Sequence, residues 1–144
     1  MEEFIAALRS RGYKITPQRR AVIDALRTCG KFTTAQRVLE HVRDSFPDMS
    51  LDTVYRNLSL LTDLGLVHEI NTRRREGNIF EISLSEHHHH RVCLECGKAE
   101  CLDFCPIQTD EVTKAEKNGF KVAFHSLEFY GYCQACQGAD PRRP

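Results

Sequence analysis

The sequence predicts an α+β chain built as two small domains, helical first and strand-rich after. Three observations carry this reading. Apolar residues recur at helical spacing from Phe4 to Leu64. Two short β-like runs follow, joined by the basic turn Asn71-Thr72-Arg73-Arg74-Arg75-Glu76-Gly77-Asn78. Six of the seven cysteines then lie beyond residue 90. At 144 residues and 41% hydrophobic, the chain can bury a modest core. With 28% charged residues and no net charge, disorder is not expected. The charge is uneven, with a balance of +3 over residues 1–60 and −3 over residues 61–144. Any nucleic-acid face is therefore local. No apolar run is long enough to span a membrane. The amphipathic start, MEEFIAALRSRGYK, has no apolar signal core, so a cytoplasmic location is expected.

Phe4, Ile5 and Leu8 predict a first helix, with Gly12 where it ends. Thr16 caps a second and Pro17 opens it; Ala21, Val22, Ala25 and Leu26 form its apolar stripe to about Cys29-Gly30. Thr33-Thr34-Ala35-Gln36 reads as a capping box for a third, which carries Val38, Leu39 and Val42 and ends before Pro47. Ser50 caps the most regular helix, with Leu51, Val54, Leu58, Leu61 and Leu64 at steps of three and four, and Gly65 stops it. Asp52, Thr53, Tyr55, Arg56 and Asn57 cluster on its first turns, on the side expected to oppose the leucines. Such side chains at a helix N-terminus reach phosphates and base edges in a major groove. Leu66–Ile70 and Ile79–Ile82 predict a hairpin whose tip carries Arg73, Arg74 and Arg75. Helices followed by a ribbon with a basic tip make a winged helix-turn-helix. The alternative is a polar face that is merely solvated.

The second half reads as a small α/β module loaded with metal ligands. Cys93-Leu94-Glu95-Cys96 and Cys133-Gln134-Ala135-Cys136 are two Cys-x-x-Cys pairs, and Gly97 supports a tight knuckle after the first. Each pair can turn both thiolates toward one ion, and two pairs complete a tetrahedral Zn(II) site. A redox role for one pair lacks the expected strand-motif-helix setting. The change between domains falls near Ser83–Glu86, dividing the chain into 1–83 and 84–144. Pro106 is expected to open a helix to about Lys117, closed by Asn118-Gly119, with Val112 and Ala115 inward. Phe120–Tyr132 alternates as a strand. An open sheet edge suggests pairing with a second copy, and a twofold dimer matches a palindromic DNA site.

The run His87–His90 asks for a second metal. In an extended strand His88 and His90 share one face, and His87 and His89 the other. Neutral imidazoles suit Zn(II), Fe(II), Ni(II) and Mn(II), and Glu81 can add a carboxylate. A solvated histidine run is the alternative. Cys29 reads as a small buried apolar residue. Cys101 and Cys105 stay open between structural thiols and a redox pair.

The order of short motifs is more specific than any one of them. Thr16-Pro17-Gln18-Arg19, Asp52-Thr53-Val54-Tyr55-Arg56-Asn57-Leu58, Gly65-Leu66-Val67 and Phe80-Glu81 come first. The histidine run before Cys93-x-x-Cys96-Gly97, and His125-Ser126-Leu127 before Tyr130-Gly131-Tyr132-Cys133, complete the series. In this order the chain resembles the ferric uptake regulator family of bacterial metal-dependent repressors. The resemblance implies a homodimer with a DNA-binding domain, a dimerisation domain and a sensory metal near the hinge. It also implies binding to A/T-rich palindromic double-stranded DNA in control of metal-uptake genes, with Arg19 joining Thr53, Tyr55, Arg56, Asn57 and the wing arginines as DNA-binding residues.

By the same resemblance the structural Zn(II) falls on Cys93, Cys96, Cys133 and Cys136. The sensory metal falls on Glu81, His88 and His90. The histidine that iron-sensing members bring from the DNA-binding domain falls at Phe32, which has no ligand atom, so His68 is expected to substitute. Cys101 lies where some members have a carboxylate, and a thiolate there favours Zn(II) over Fe(II) and Mn(II). A third site falls on His87, His89 and His125; the expected glutamate reads as Gln108, leaving Glu111 one turn later. Iron-responsive and peroxide-sensing members resemble the chain almost as well. No enzyme activity is expected, since a zinc hydrolase would need a general base that the motifs do not provide. A metal buffer would leave Tyr55, Arg56, Asn57 and the basic wing without a purpose.

Overall fold

A computed structural model describes residues 1–83 and 87–138. The chain forms two compact units, Met1–Leu84 and Ser85–Pro144. Apart from Ser83, the seam expected near Ser83–Glu86 lies outside the described residues.

The first unit runs α1 (Glu2–Ser10), α2 (Pro17–Thr28), β1 (Thr33–Thr34), α3 (Ala35–Arg43), α4 (Leu51–Asp63), β2 (Val67–Ile70) and β3 (Ile79–Ile82). Side-chain oxygens satisfy the free N–H groups at three helix starts. Thr16 accepts from the Arg19 N–H at 3.2 Å, Thr34 from Arg37 at 3.2 Å and Ser50 from Thr53 at 3.1 Å. The third cap corrects the expected capping box. Thr33 lies in β1, opposite Phe80 of β3, so Thr34 becomes the cap and Arg37 holds the position a Glu or Gln would need.

Phe4, Leu8, Val22, Ile23, Val38, Val42, Val54, Leu58 and Leu61 are wholly buried together. Each fully buried aliphatic or aromatic side chain contributes roughly 1.5–3 kcal/mol, so this cluster is what holds the helices to one another. At Gly65, φ is +71°, and its N–H closes the end of α4 on the Thr62 carbonyl at 2.8 Å. The sheet has the order β1-β3-β2, all antiparallel, with His68 opposite Glu81.

The second unit runs β4 (His89–Cys93), β5 (Ala99–Leu102), α5 (Thr109–Ala115), a 3-10 turn (Lys117–Gly119) and β6 (Glu128–Gly131). Its sheet has the order β5-β4-β6, with β5 antiparallel and β6 parallel to β4. Two expectations need correction. The helix does not open at Pro106 but at Thr109, because the Gln108 N–H donates to the Glu111 carboxylate at 3.0 Å and sets the N-terminus there. None of its residues is buried: Val112 is half-buried and Ala115 exposed. The strand expected over Phe120–Tyr132 shrinks to Glu128–Gly131, since only that segment pairs with β4. Among the described residues no helix is long and apolar enough to cross a membrane. The whole is α+β.

Candidate metal centres and DNA-binding face

Cys93 ends β4, and the chain turns back at once. The Gly97 N–H donates to the Cys93 carbonyl and the Cys93 N–H to the Lys98 carbonyl, both at 2.9 Å, with Gly97 at φ +73°. This knuckle brings Cys96 beside Cys93. The second pair arrives because β6 lies parallel to β4 and the Leu94 N–H donates to the Gly131 carbonyl at 2.8 Å. The four sulfurs all lie within 4.8 Å of one another, and Cys96 Sγ is 3.8 Å from Cys133 Sγ. A tetrahedron with Zn–S near 2.3 Å has edges of about 3.8 Å.

Electrostatics point the same way. Burial pushes the Cys93 thiol up, but the N–H groups of Cys133, Cys96 and Glu95 outweigh it and bring it down to about 6. The Cys133 N–H sits 3.4 Å from Cys93 Sγ. Cys136 goes the other way, pushed up to about 12 by its hydrogen bond with Cys133 and by burial. Four crowded sulfurs cannot all be thiolates unless a cation shares their charge. None of the seven cysteines is in a disulfide, and Cys29 is half-buried rather than buried.

The histidines divide by strand alternation. His88 and His90 stack edge-on at 4.9 Å, and Cys101 of β5 is the direct cross-strand partner of His90. The ligand atoms of His88, His90 and Cys101 lie within 4.8 Å of one another. On the other face His87 Nε2 is 3.1 Å from His89 Nε2, and His125 packs against both rings. Cys105 Sγ joins them, 3.3 Å from His125 Nε2. His89 is only 1% exposed. Burial and then the neighbouring imidazoles push its pKa down, which keeps the ring neutral and able to ligate.

Glu111 is not part of this cluster, because its carboxylate is engaged at the start of α5. Cys105 takes the place expected for it. Sequence spacing could not find Cys105, which sits in the loop after β5 and meets His125 only through the tertiary fold.

Glu81 and His68 belong to the first unit. Glu81 is 2% exposed in β3, with Lys31 Nζ 3.5 Å from its carboxylate. His68 is exposed opposite it, with Nε2 2.7 Å from Ser83 Oγ.

The start of α4 presents only part of the expected polar face. Arg56 is exposed and ion-paired with Asp52 at 2.8 Å. Tyr55 is partly exposed; its ring packs edge-on against Phe80 at 6.4 Å. Asn57 differs from expectation: it is 7% exposed and turned inward. It shares the stripe of Val54, Leu58 and Leu61 at helical steps of three and four. Its Oδ1 accepts from Arg19 Nε at 3.0 Å, and its Nδ2 donates to the Thr53 carbonyl at 2.8 Å. Arg19 also donates to the Lys14 carbonyl. Arg19 and Asn57 therefore brace α2 against α4. At the hairpin tip Arg73 and Arg75 are exposed, whereas Arg74 is half-buried and paired with Glu76 at 3.0 Å. The turn is held by Thr72 Oγ1, which donates to the Gly77 carbonyl at 2.7 Å.

Residues 10–130, from the end of α1 to β6, match the model of the ferric uptake regulator family. The chain belongs to this family. It is thus a metal-responsive regulator of the ferric uptake regulator type. The peroxide-responsive repressor PerR of Staphylococcus aureus is 34% identical over 139 residues, which cover 95% of this chain and 91% of that one. The ferric uptake regulator of Helicobacter pylori, described as having three functional metal-binding sites, superposes with a TM-score of 0.73 at 26% identity. That match covers 94% of this chain and 90% of the other. The Vibrio cholerae ferric uptake regulator gives 0.65 at 30% identity, covering 89% and 98%.

Proposed function

We propose that this regulator is a cytoplasmic homodimer that represses metal-uptake genes from palindromic, A/T-rich operators when Zn(II) occupies a sensory site. Residues 1–83 bind the DNA and residues 84–144 dimerise and hold the metals. Zn(II) at Cys93, Cys96, Cys133 and Cys136 is structural and folds the second domain.

The observation that carries the choice of sensed metal is Cys101, whose thiol converges with His88 and His90. Two imidazoles and a thiolate favour Zn(II) over Fe(II) and Mn(II). In this reading Glu81 or His68 of the DNA-binding domain completes the coordination. A ligand set drawn from both domains gives the metal a higher affinity for one domain arrangement, and so shifts the population toward the operator-binding form. Thr53, Tyr55, Arg56 and the exposed Arg73 and Arg75 make the DNA contacts, while Arg19 and Asn57 hold α4 in place for them.

His88→Ala and His90→Ala are expected to give folded dimers that retain structural zinc and bind operator weakly at any free Zn(II). Unchanged metal-dependent affinity in both would sink the assignment. Similarity to the staphylococcal peroxide-responsive repressor supports a second reading, in which iron at the same histidines reports hydroperoxide. Peptide mass spectrometry of Fe(II)-loaded protein after peroxide decides this, since that reading requires an added oxygen on a metal-bound histidine.

A further inference from the structure

We infer that Cys105, rather than a carboxylate, completes the cluster of His87, His89 and His125, making a site of three imidazoles and one thiolate for a soft, tetrahedral cation of the Zn(II) class. The sensory proposal does not use this site, and the inference does not rest on it. All four donor atoms lie within 4.8 Å of one another. A tetrahedral ion with Zn–N near 2.0–2.1 Å and Zn–S near 2.3 Å needs edges of about 3.3 Å between nitrogens and about 3.6 Å between nitrogen and sulfur. The measured pairs are 3.1 Å for His87 Nε2 to His89 Nε2 and 3.3 Å for Cys105 Sγ to His125 Nε2. Small outward movements would open the cluster to those values.

The local fold explains why the anionic donor is sulfur. Glu111, one turn beyond position 108, accepts from the Gln108 N–H and caps α5. Position 108 itself is an amide. Cys105, by contrast, leaves β5 by a short loop and meets His125 directly. Its thiol also lies 3.4 Å from the Ile107 carbonyl, which takes the S–H bond while the sulfur is protonated. On binding, that proton is released and the thiolate supplies the negative charge that a glutamate would have brought. Softness then selects: a thiolate among imidazoles suits Zn(II) and Co(II) and disfavours Mn(II), whereas a carboxylate would not discriminate so strongly. The site also ties β4, the loop after β5 and the segment before β6 together, next to a helix with no buried residue of its own.

Cobalt titration of full-length protein that retains its four-cysteine zinc tests this. The background is Cys101→Ser, so that no second thiolate near His88 and His90 contributes a signal. Cys101→Ser should develop a thiolate-to-Co(II) charge-transfer band that Zn(II) abolishes and Mn(II) does not. Adding Cys105→Ser should remove the band and weaken cobalt binding at least tenfold. Adding Cys105→Asp should restore binding without the band. Retained zinc, measured in each variant, certifies the fold. A band that survives loss of Cys105, no band in Cys101→Ser, or displacement by Mn(II) as readily as by Zn(II) would overturn the inference.

Discussion

Neighbouring polar residues at the start of α4 do different work, and the difference is a matter of helical phase. Arg56 faces solvent; Asn57, one residue on, is braced by Arg19. Asn57→Ala leaves Arg19 without its buried acceptor and should cost about 1–3 kcal/mol of stability, read from urea unfolding. Arg56→Ala removes an exposed ion pair and should change stability by less than about 0.5 kcal/mol, while DNA affinity measured by anisotropy falls with zinc content unchanged. If both variants behave alike, the division between brace and contact is wrong. Spacing from Val54, Leu58 and Leu61 already put Asn57 on the buried stripe; its polarity masked that. Cys105 is the opposite case, since no periodicity connects it to His125.

At the scale of elements, what was legible was what local chemistry specifies. The Thr16 and Ser50 caps, the Gly65 stop, the leucine stripe and the two cysteine knuckles each rest on residues a few positions apart. The two-residue strand β1 and the short β6 depend on partners far away in the chain, which is why Thr33 looked like a cap and Phe120–Tyr132 like one strand. The knuckles and the wing each give a prediction. Cys93→Ser or Cys136→Ser removes the charge balance of four crowded sulfurs, so the second domain should lose zinc and fold, seen by metal analysis and near-UV dichroism. Gly77 sits at φ +89°, and a Cβ there would meet the Tyr55 hydroxyl at 3.3 Å. Gly77→Ala should therefore destabilise by about 1 kcal/mol or more and lower DNA affinity by shifting the arginine tip. Unaltered operator binding would show that the wing tip takes no part.

Among the described residues, the first unit has a closed hydrophobic core while the second leaves large apolar side chains outside. Phe104, Phe120, Phe124 and Phe129 are exposed, Phe124 to 85%, and α5 buries nothing. Large apolar side chains left outside are what a dimerisation domain covers on pairing. Phe124→Asp should shift sedimentation toward monomer without zinc loss, and a wild-type dimer constant would remove that surface from the interface. In the proposed dimer two copies of α4 and its wing would face the operator, and the metal's proposed part is to favour their operator-binding arrangement. The most direct measurement is anisotropy of an A/T-rich palindromic duplex at one stated salt concentration. Protein stripped of exchangeable metal but keeping its structural zinc would be titrated with buffered Zn(II) and, anaerobically, with Fe(II). Tight binding should be restored by Zn(II) at free concentrations where Fe(II) has no effect. Restoration by Fe(II) alone, or affinity indifferent to metal, would contradict it.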